Sequence, residues 1–135
     1  MKQTRQGAAL IVPALNEAEA IAHTLSTIPP GLFRIVIVAD NGSTDLTGEI
    51  ALQAGARVVR EPERGYGAAC LKAIEALPGD IEAVVFLQAD GSEDPAEAQR
   101  LLSPIFDGRA DLVLGSRVTG HARSEERRVG KECRL

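Results

Sequence analysis

Acidic residues follow three apolar segments of this sequence, at the point where each segment ends. Asp90 comes just after the run Val84–Leu87, and Asp40 comes directly after Arg34–Ala39. Glu17 follows a third segment, near the start of the chain. A carboxylate at the end of a buried strand can hold Mg²⁺ or Mn²⁺ against a diphosphate. The sequence therefore predicts a cation-assisted site for a phosphorylated ligand, with Asp90 at its centre.

Short apolar segments alternate with helical patterns along the chain. Continuous apolar character is typical of strands that are covered on both faces, as in a parallel sheet. Alternation of strands and helices predicts an α/β fold, with a mostly parallel sheet and helices on both faces. The predicted strands are residues 8–12, 34–39, 57–59, 83–87 and 110–114.

Polar residues mark the predicted helix starts. Asn16 is the predicted N-cap of the first helix, and Ser43 or Thr44 that of the second. Asp94, followed by proline, is the predicted cap of the last. The third helix is predicted to turn four side chains inward: Cys70, Leu71, Ile74 and Leu77.

Loops that leave the carboxyl ends of parallel strands meet at one edge of the sheet. We therefore expect four loops to converge: residues 13–17, 40–45, 88–94 and 115–117. For Glu17, Asp45 and Asp94, helix capping is the stronger interpretation, since all three lie near helix starts. Asp40 and Asp90 come too early to cap a helix, so a functional role is the stronger interpretation there.

Composition excludes several classes of function. The net charge of −4 disfavours binding to nucleic acid. Two widely separated cysteines form no disulfide framework, which favours a reducing compartment. P-loop and GxSxG patterns are absent, and Gly65-Tyr-Gly67 gives only weak support to a dinucleotide fold.

Five segments, in this order and spacing, resemble the family 2 glycosyltransferases, with the dolichol-phosphate mannosyltransferase-like branch as the nearest match. They cover the chain from residue 8 to about residue 120. The segments are Val12-Pro-Ala-Leu-Asn-Glu17, Val38-Ala-Asp-Asn-Gly-Ser-Thr-Asp45, Arg64-Gly-Tyr-Gly67, Phe86-Leu-Gln-Ala-Asp90 and Gly115-Ser-Arg117.

This resemblance implies a GT-A (Rossmann-like) fold and sugar transfer from a UDP- or GDP-sugar, with Mg²⁺ or Mn²⁺ and inversion at the anomeric carbon. It implies a polyprenyl phosphate or a similar acceptor. It assigns the metal to Asp90 and Gln88, and identifies no catalytic base in this chain. The implied donor-site residues are Pro13, Leu15, Glu17, Asp40, Asn41, Ala89, Asp90 and Arg117, the last near the acceptor side.

Two departures from the family pattern qualify this prediction. The metal motif of the family is usually Asp-x-Asp, whereas this chain has Gln88-Ala89-Asp90. A glutamine offers a carbonyl oxygen with one negative charge fewer, which predicts weaker metal affinity. The alternative is a non-catalytic nucleotide- or sugar-binding domain.

The end of the chain is the second departure. Residues 122–135 are rich in charge where the family has a further acceptor-binding segment. We expect residues 1–121 to be a partial nucleotide-sugar-binding domain, truncated at its C-terminus. Residues 122–135 are expected to be a tail that is disordered or not native to it. We expect a cytoplasmic protein, with peripheral attachment to the cytoplasmic membrane face left open.

Overall fold

The computed structural model of the chain describes residues 7–111 and 113. Residues 7–96 form one compact unit, and residues 97–111 and 113 belong to a second. The elements are β1 (Ala8–Ala14), α1 (Ala18–Ser26), β2 (Ile35–Asp40), α2 (Thr47–Gln53), β3 (Arg57–Arg60), α3 (Tyr66–Glu75), β4 (Ala83–Phe86), a 3₁₀ turn (Pro95–Glu97) and α4 (Ala98–Phe106).

The four strands form one parallel sheet in the order β3-β2-β1-β4. Ala14 of β1 is in register with Asp40 of β2, and Asp40 with Arg60 of β3, so these strands end at the same edge. Strand β4 pairs with β1 from the other side. The direction in which successive strands are added therefore reverses between β1 and β4. In open α/β sheets, ligands bind outside the carboxyl ends of the strands at such a switch point.

Helices cover both faces of the sheet. Ala69 and Ala73 of α3 pack with Ile11 and Ile37, which lie on one face. On the other face, a side chain at Gly48 of α2 would contact Val58 and Asp40. The predicted α/β fold with a parallel sheet and helices on both faces is confirmed.

Pro13 lies inside β1, although the sequence predicts that the strand ends before it. The carbonyl of Ala14 accepts a hydrogen bond from the amide of Asn41, which follows β2. The carbonyl of Ile11 points the other way and accepts from the amide of Leu87, which follows β4. Residue 13 therefore turns its nitrogen toward β4, whose pairing with β1 ends at Ile11. A proline is tolerated at this position because no ladder hydrogen bond is lost.

Helix α3 turns a different side inward from the predicted one. Cys70 and Ala73 are buried, and Leu77 packs against the core. Leu71 and Ile74 are 62% and 42% exposed, so their predicted inward orientation is wrong. Alanine on the inner side allows the helix to approach the sheet closely, which excludes the larger side chains from that side.

Some predictions lie at or beyond the end of the described residues. Of the predicted fifth strand, residues 110, 111 and 113 are described, and these three are not in a strand. Residues 112 and 114, Arg117 and the predicted tail at 122–135 lie outside the described residues. Within the part of the chain that the structure describes, no helix is long and apolar enough to cross a bilayer.

Candidate functional site

Helix α1 takes the acceptors for its first N–H groups from the β2–α2 connection. The amide of Glu17 donates to the Thr47 hydroxyl at 2.9 Å, and the amide of Ala18 donates to Asp45 Oδ2 at 3.2 Å. The other oxygen of Asp45 accepts from the amide and the hydroxyl of Thr47. The first turns of α1 and α2 are thus fixed to each other at the carboxyl edge of the sheet.

Asn16 and Ser43 bond to each other's loop instead of capping their own helices. Asn16 has a φ of +55°, and its backbone amide donates to the Ser43 hydroxyl at 2.9 Å. Its side-chain oxygen accepts from the amide of Thr44 at 2.8 Å. The predicted N-caps at Asn16 and at Ser43 or Thr44 are therefore wrong. The two loops follow paired strands, so they lie side by side and satisfy each other's donors.

The three acidic residues interpreted as caps differ in what they do. Asp45 precedes Leu46, the N-cap residue of α2, and its side chain accepts from the first amides of both helices, those of Thr47 in α2 and Ala18 in α1. These donors, chiefly the Thr47 hydroxyl, hold the pKa of the Asp45 carboxyl below its ordinary value. Asp94 accepts from the amide of Ala96 at 3.0 Å in the 3₁₀ turn, but the N-cap residue of α4 is Glu97, so the predicted cap of the last helix at Asp94 is wrong. Glu17 stands at the N-cap position of α1, but its side chain makes no capping hydrogen bond.

Asp40 is a buried, paired carboxylate at the end of β2. It is 1% exposed, and its two oxygens accept from the amide of Ser43 at 2.9 Å and from the guanidinium of Arg60 at 3.0 Å. Gly48 gives it room, because a Cβ there would lie 3.2 Å from Asp40 Oδ2. A buried charge needs such partners to offset its desolvation. Arg60 was not predicted, and nothing in the sequence distinguishes it from other surface arginines.

Asn41 shapes the loop that follows β3. Its side-chain nitrogen donates to the carbonyls of Glu61 at 2.9 Å and Glu63 at 2.7 Å. Its side-chain oxygen accepts from the amide of Gly65 at 3.0 Å. Gly65 has φ of +130°, a conformation that favours glycine. The Asn41 side chain therefore connects the β3–α3 loop to the end of β2.

A tight turn after β4 presents the Asp90 carboxylate. Ala89 is buried, whereas Asp90 is exposed and accepts from the amide of Ser92 at 2.9 Å. Gln88 is exposed, and its backbone amide donates to Glu93 Oε1 at 2.8 Å. The turn thus carries two carboxylates. Sequence analysis missed Glu93, because its contact with residue 88 follows no helical or capping spacing.

The carboxylates of Glu17 and Asp90 interact across the switch point between β1 and β4. Burial raises the pKa of Glu17 above its ordinary value of 4.5, and the negative charges of Asp90 and Asp45 raise it further. Pro13 and Leu15 lie half-buried at the same edge. Loops after β1, β2 and β4 therefore converge as predicted, while Arg117, of the fourth loop, lies outside the described residues.

The chain has clear similarity to known sugar transferases. The sequence model of Glycosyl transferase family 2 matches residues 9–132. An uncharacterized glycosyltransferase of Mycobacterium tuberculosis is 42% identical over 108 residues, covering 80% of this chain and 47% of that protein. The glycosyltransferase AglJ of Haloferax volcanii is 38% identical over 116 residues, covering 84% of this chain and 37% of AglJ.

Solved structures share the fold. One is glucosyl-3-phosphoglycerate synthase of Mycobacterium tuberculosis in complex with Mn²⁺, UDP-glucose and phosphoglyceric acid. It aligns with a TM-score of 0.67 at 33% identity, covering 76% of this chain and 40% of that one. This chain spans less than half the length of these relatives.

We expect Thr47→Val to destabilise the fold by about 1–3 kcal/mol, because it removes the hydroxyl of a fully buried side chain and leaves the part-buried amide of Glu17 without its acceptor. Thr44→Val is the matched control in the same loop, where the hydroxyl is exposed, and should cost less than about 0.5 kcal/mol. Equilibrium urea unfolding measures both. Equal losses in the two variants would contradict the proposed link between the loops.

Removing the charge of Asp90 should lower the pKa of Glu17, because one of the negative charges that disfavour its ionisation disappears. Carbon-detected NMR titration of the Glu17 carboxyl in Asp90→Asn measures this change. Asp94→Asn is the control, since Asp94 is not among the causes of the Glu17 shift. A Glu17 pKa that is the same in Asp90→Asn as in the parent chain would show that the two carboxylates lie apart.

Proposed function

The chain belongs to glycosyl transferase family 2, and we propose that it binds the donor in sugar transfer from a nucleoside diphosphate. The observation that carries this proposal is the placement of Glu17 after β1 and of Asp90 after β4, at the switch point of the parallel sheet. Two carboxylates held near each other favour a cation between themselves and an anionic ligand. A nucleoside diphosphate joined to a sugar has that chemistry.

A divalent cation fits the donor atoms of this edge. Within residues 7–111 and 113, no group of three His, Cys, Asp or Glu side chains can hold a metal ion alone. Mg²⁺ is usually bound by one or two carboxylates together with substrate phosphates, so a smaller protein set is sufficient. Asp90 would supply the carboxylate, with the Gln88 carbonyl beside it. When bound, such a cation would neutralise the charge that develops on the departing diphosphate.

The remaining donor-site residues are proposed from their positions. Pro13 and Leu15 would form the apolar floor of the nucleotide pocket beside Glu17. Asp40 retains acceptor capacity, since a carboxylate has about four lone-pair sites and two partners occupy only some of them. It would accept from the base or ribose, next to Asn41. Ala89 would bring its backbone close to the diphosphate.

We propose that Arg117 lies near the acceptor side of the site. A polyprenyl phosphate acceptor and membership of the dolichol-phosphate mannosyltransferase-like branch remain predictions from the sequence. The solved relative carries phosphoglyceric acid, which shares with a polyprenyl phosphate only its anionic phosphate. Peripheral attachment to a membrane likewise remains a prediction.

Calorimetric titration with UDP and with GDP, each in Mn²⁺ and in EDTA, tests the proposal. We expect one nucleotide to bind in Mn²⁺ and to bind at least about tenfold more weakly in EDTA, in line with the losses caused by disrupting metal sites. Asp90→Ala should remove the difference between Mn²⁺ and EDTA, because it removes the proposed metal carboxylate.

Asp94→Ala is the matched control, since Asp94 lies in the same loop but accepts from the amide of Ala96. It should keep the metal dependence of the parent chain. Binding that ignores EDTA would favour the non-catalytic nucleotide-binding alternative. Absence of binding by folded protein in every condition would contradict the proposed donor site.

A further inference from the structure

One buried polar side chain is well separated in sequence from the others. In the described part of the chain, five polar or charged residues are buried, and four of them fall within residues 40–47. The fifth is Thr24, in the middle of α1 and 1% exposed. Its position, three residues after the buried Ile21, is one where an amphipathic helix normally carries an apolar residue. A polar group at such a position costs stability unless it is hydrogen-bonded.

The Thr24 hydroxyl finds its partner across the switch point. A helical threonine often bonds the carbonyl one turn before it in its own helix. Thr24 Oγ1 instead donates to the carbonyl of Ala89 at 3.2 Å, in a buried contact that spans 65 positions of sequence. A Cβ at Gly91 would lie 3.9 Å from the same hydroxyl. Thr24 therefore lies directly under the turn that presents Asp90.

We infer that Thr24 is a positioning residue, whose hydroxyl sets the place of the Asp90 turn relative to α1. This hydrogen bond joins the segments that carry the two carboxylates. Asp90 follows Ala89 in the turn, and Glu17 is the N-cap residue of the helix that carries Thr24. The link therefore holds the turn that carries Asp90 against the helix that begins after Glu17. The consequence for metal binding rests on the proposed function, whereas the consequence for the turn does not.

Thr24→Val tests the inference, because valine keeps the shape of threonine and removes the hydroxyl. Thr24→Ser keeps the hydroxyl. Thr27→Val is the matched control at the C-cap of the same helix, where the hydroxyl donates to the carbonyl of Thr24 at 2.8 Å. All variants are made in the full chain, and thermal melting verifies that each is folded.

The first measurement is amide hydrogen exchange over residues 87–92 without nucleotide. We expect exchange in this segment to be about threefold faster or more in Thr24→Val, because local opening becomes easier. The Ser92 amide, which donates to Asp90, is the most direct probe. Exchange in Thr24→Ser and Thr27→Val should match the parent chain. Unchanged exchange in Thr24→Val would overturn the inference, whether or not the chain binds a nucleotide.

The second measurement is the Mn²⁺ concentration that gives half-maximal binding of UDP or GDP. We expect this concentration to rise about tenfold in Thr24→Val, as when a supporting partner of a metal site is lost. Recovery in Thr24→Ser would support the inference. Faster exchange with an unchanged Mn²⁺ midpoint would overturn the positioning role. Failure of the parent chain to bind would contradict the proposed function alone, since exchange still decides the position of the turn.

Discussion

Hydrogen bonds between neighbouring loops are the constraint on which the candidate site depends. Helix α1 has no side-chain cap of its own, and its first amides donate to Thr47 and Asp45. Unsatisfied donors at a helix start are costly, so α1 begins where these acceptors are. The position of Glu17 is consequently set by residues about thirty positions later in the chain.

Buried polar groups keep this edge rigid. Asp40 and Asn41 are buried at the end of β2, and each bonds to groups from other parts of the chain. Asp40 holds Arg60 at the end of β3, while Asn41 holds the loop beyond it. In a low-dielectric environment, such bonds are strong and their loss is costly. The apolar sheet positions the strand ends, and this polar layer positions the loops.

Negative charge is concentrated at the same edge, where Glu17, Asp45 and Asp90 lie. Arg60 pairs with Asp40, whereas burial raises the pKa of Glu17 and the negative charges of Asp90 and Asp45 raise it further. A folded protein retains such repulsion at a cost in stability, since ionising Glu17 is harder in the folded state than in the unfolded state. Functional sites often contain groups perturbed in this way. The proposed cation would offset the repulsion between the carboxylates and would also attract the diphosphate.

The sequence alone determined the α/β fold and the convergence of the loops that follow β1, β2 and β4, because apolar continuity and strand ends are local patterns. Tertiary structure decided which groups pair at that edge. Asn16 and Ser43 look like caps of their own helices, but they bond across loops. No local pattern indicates that Arg60 pairs with Asp40, that Thr47 accepts from Glu17 or that Thr24 donates to Ala89, because each of these bonds joins distant parts of the chain. Hydrogen bonds between distant residues depend on how the strands are ordered in the sheet. That order cannot be read from the local sequence of any one segment.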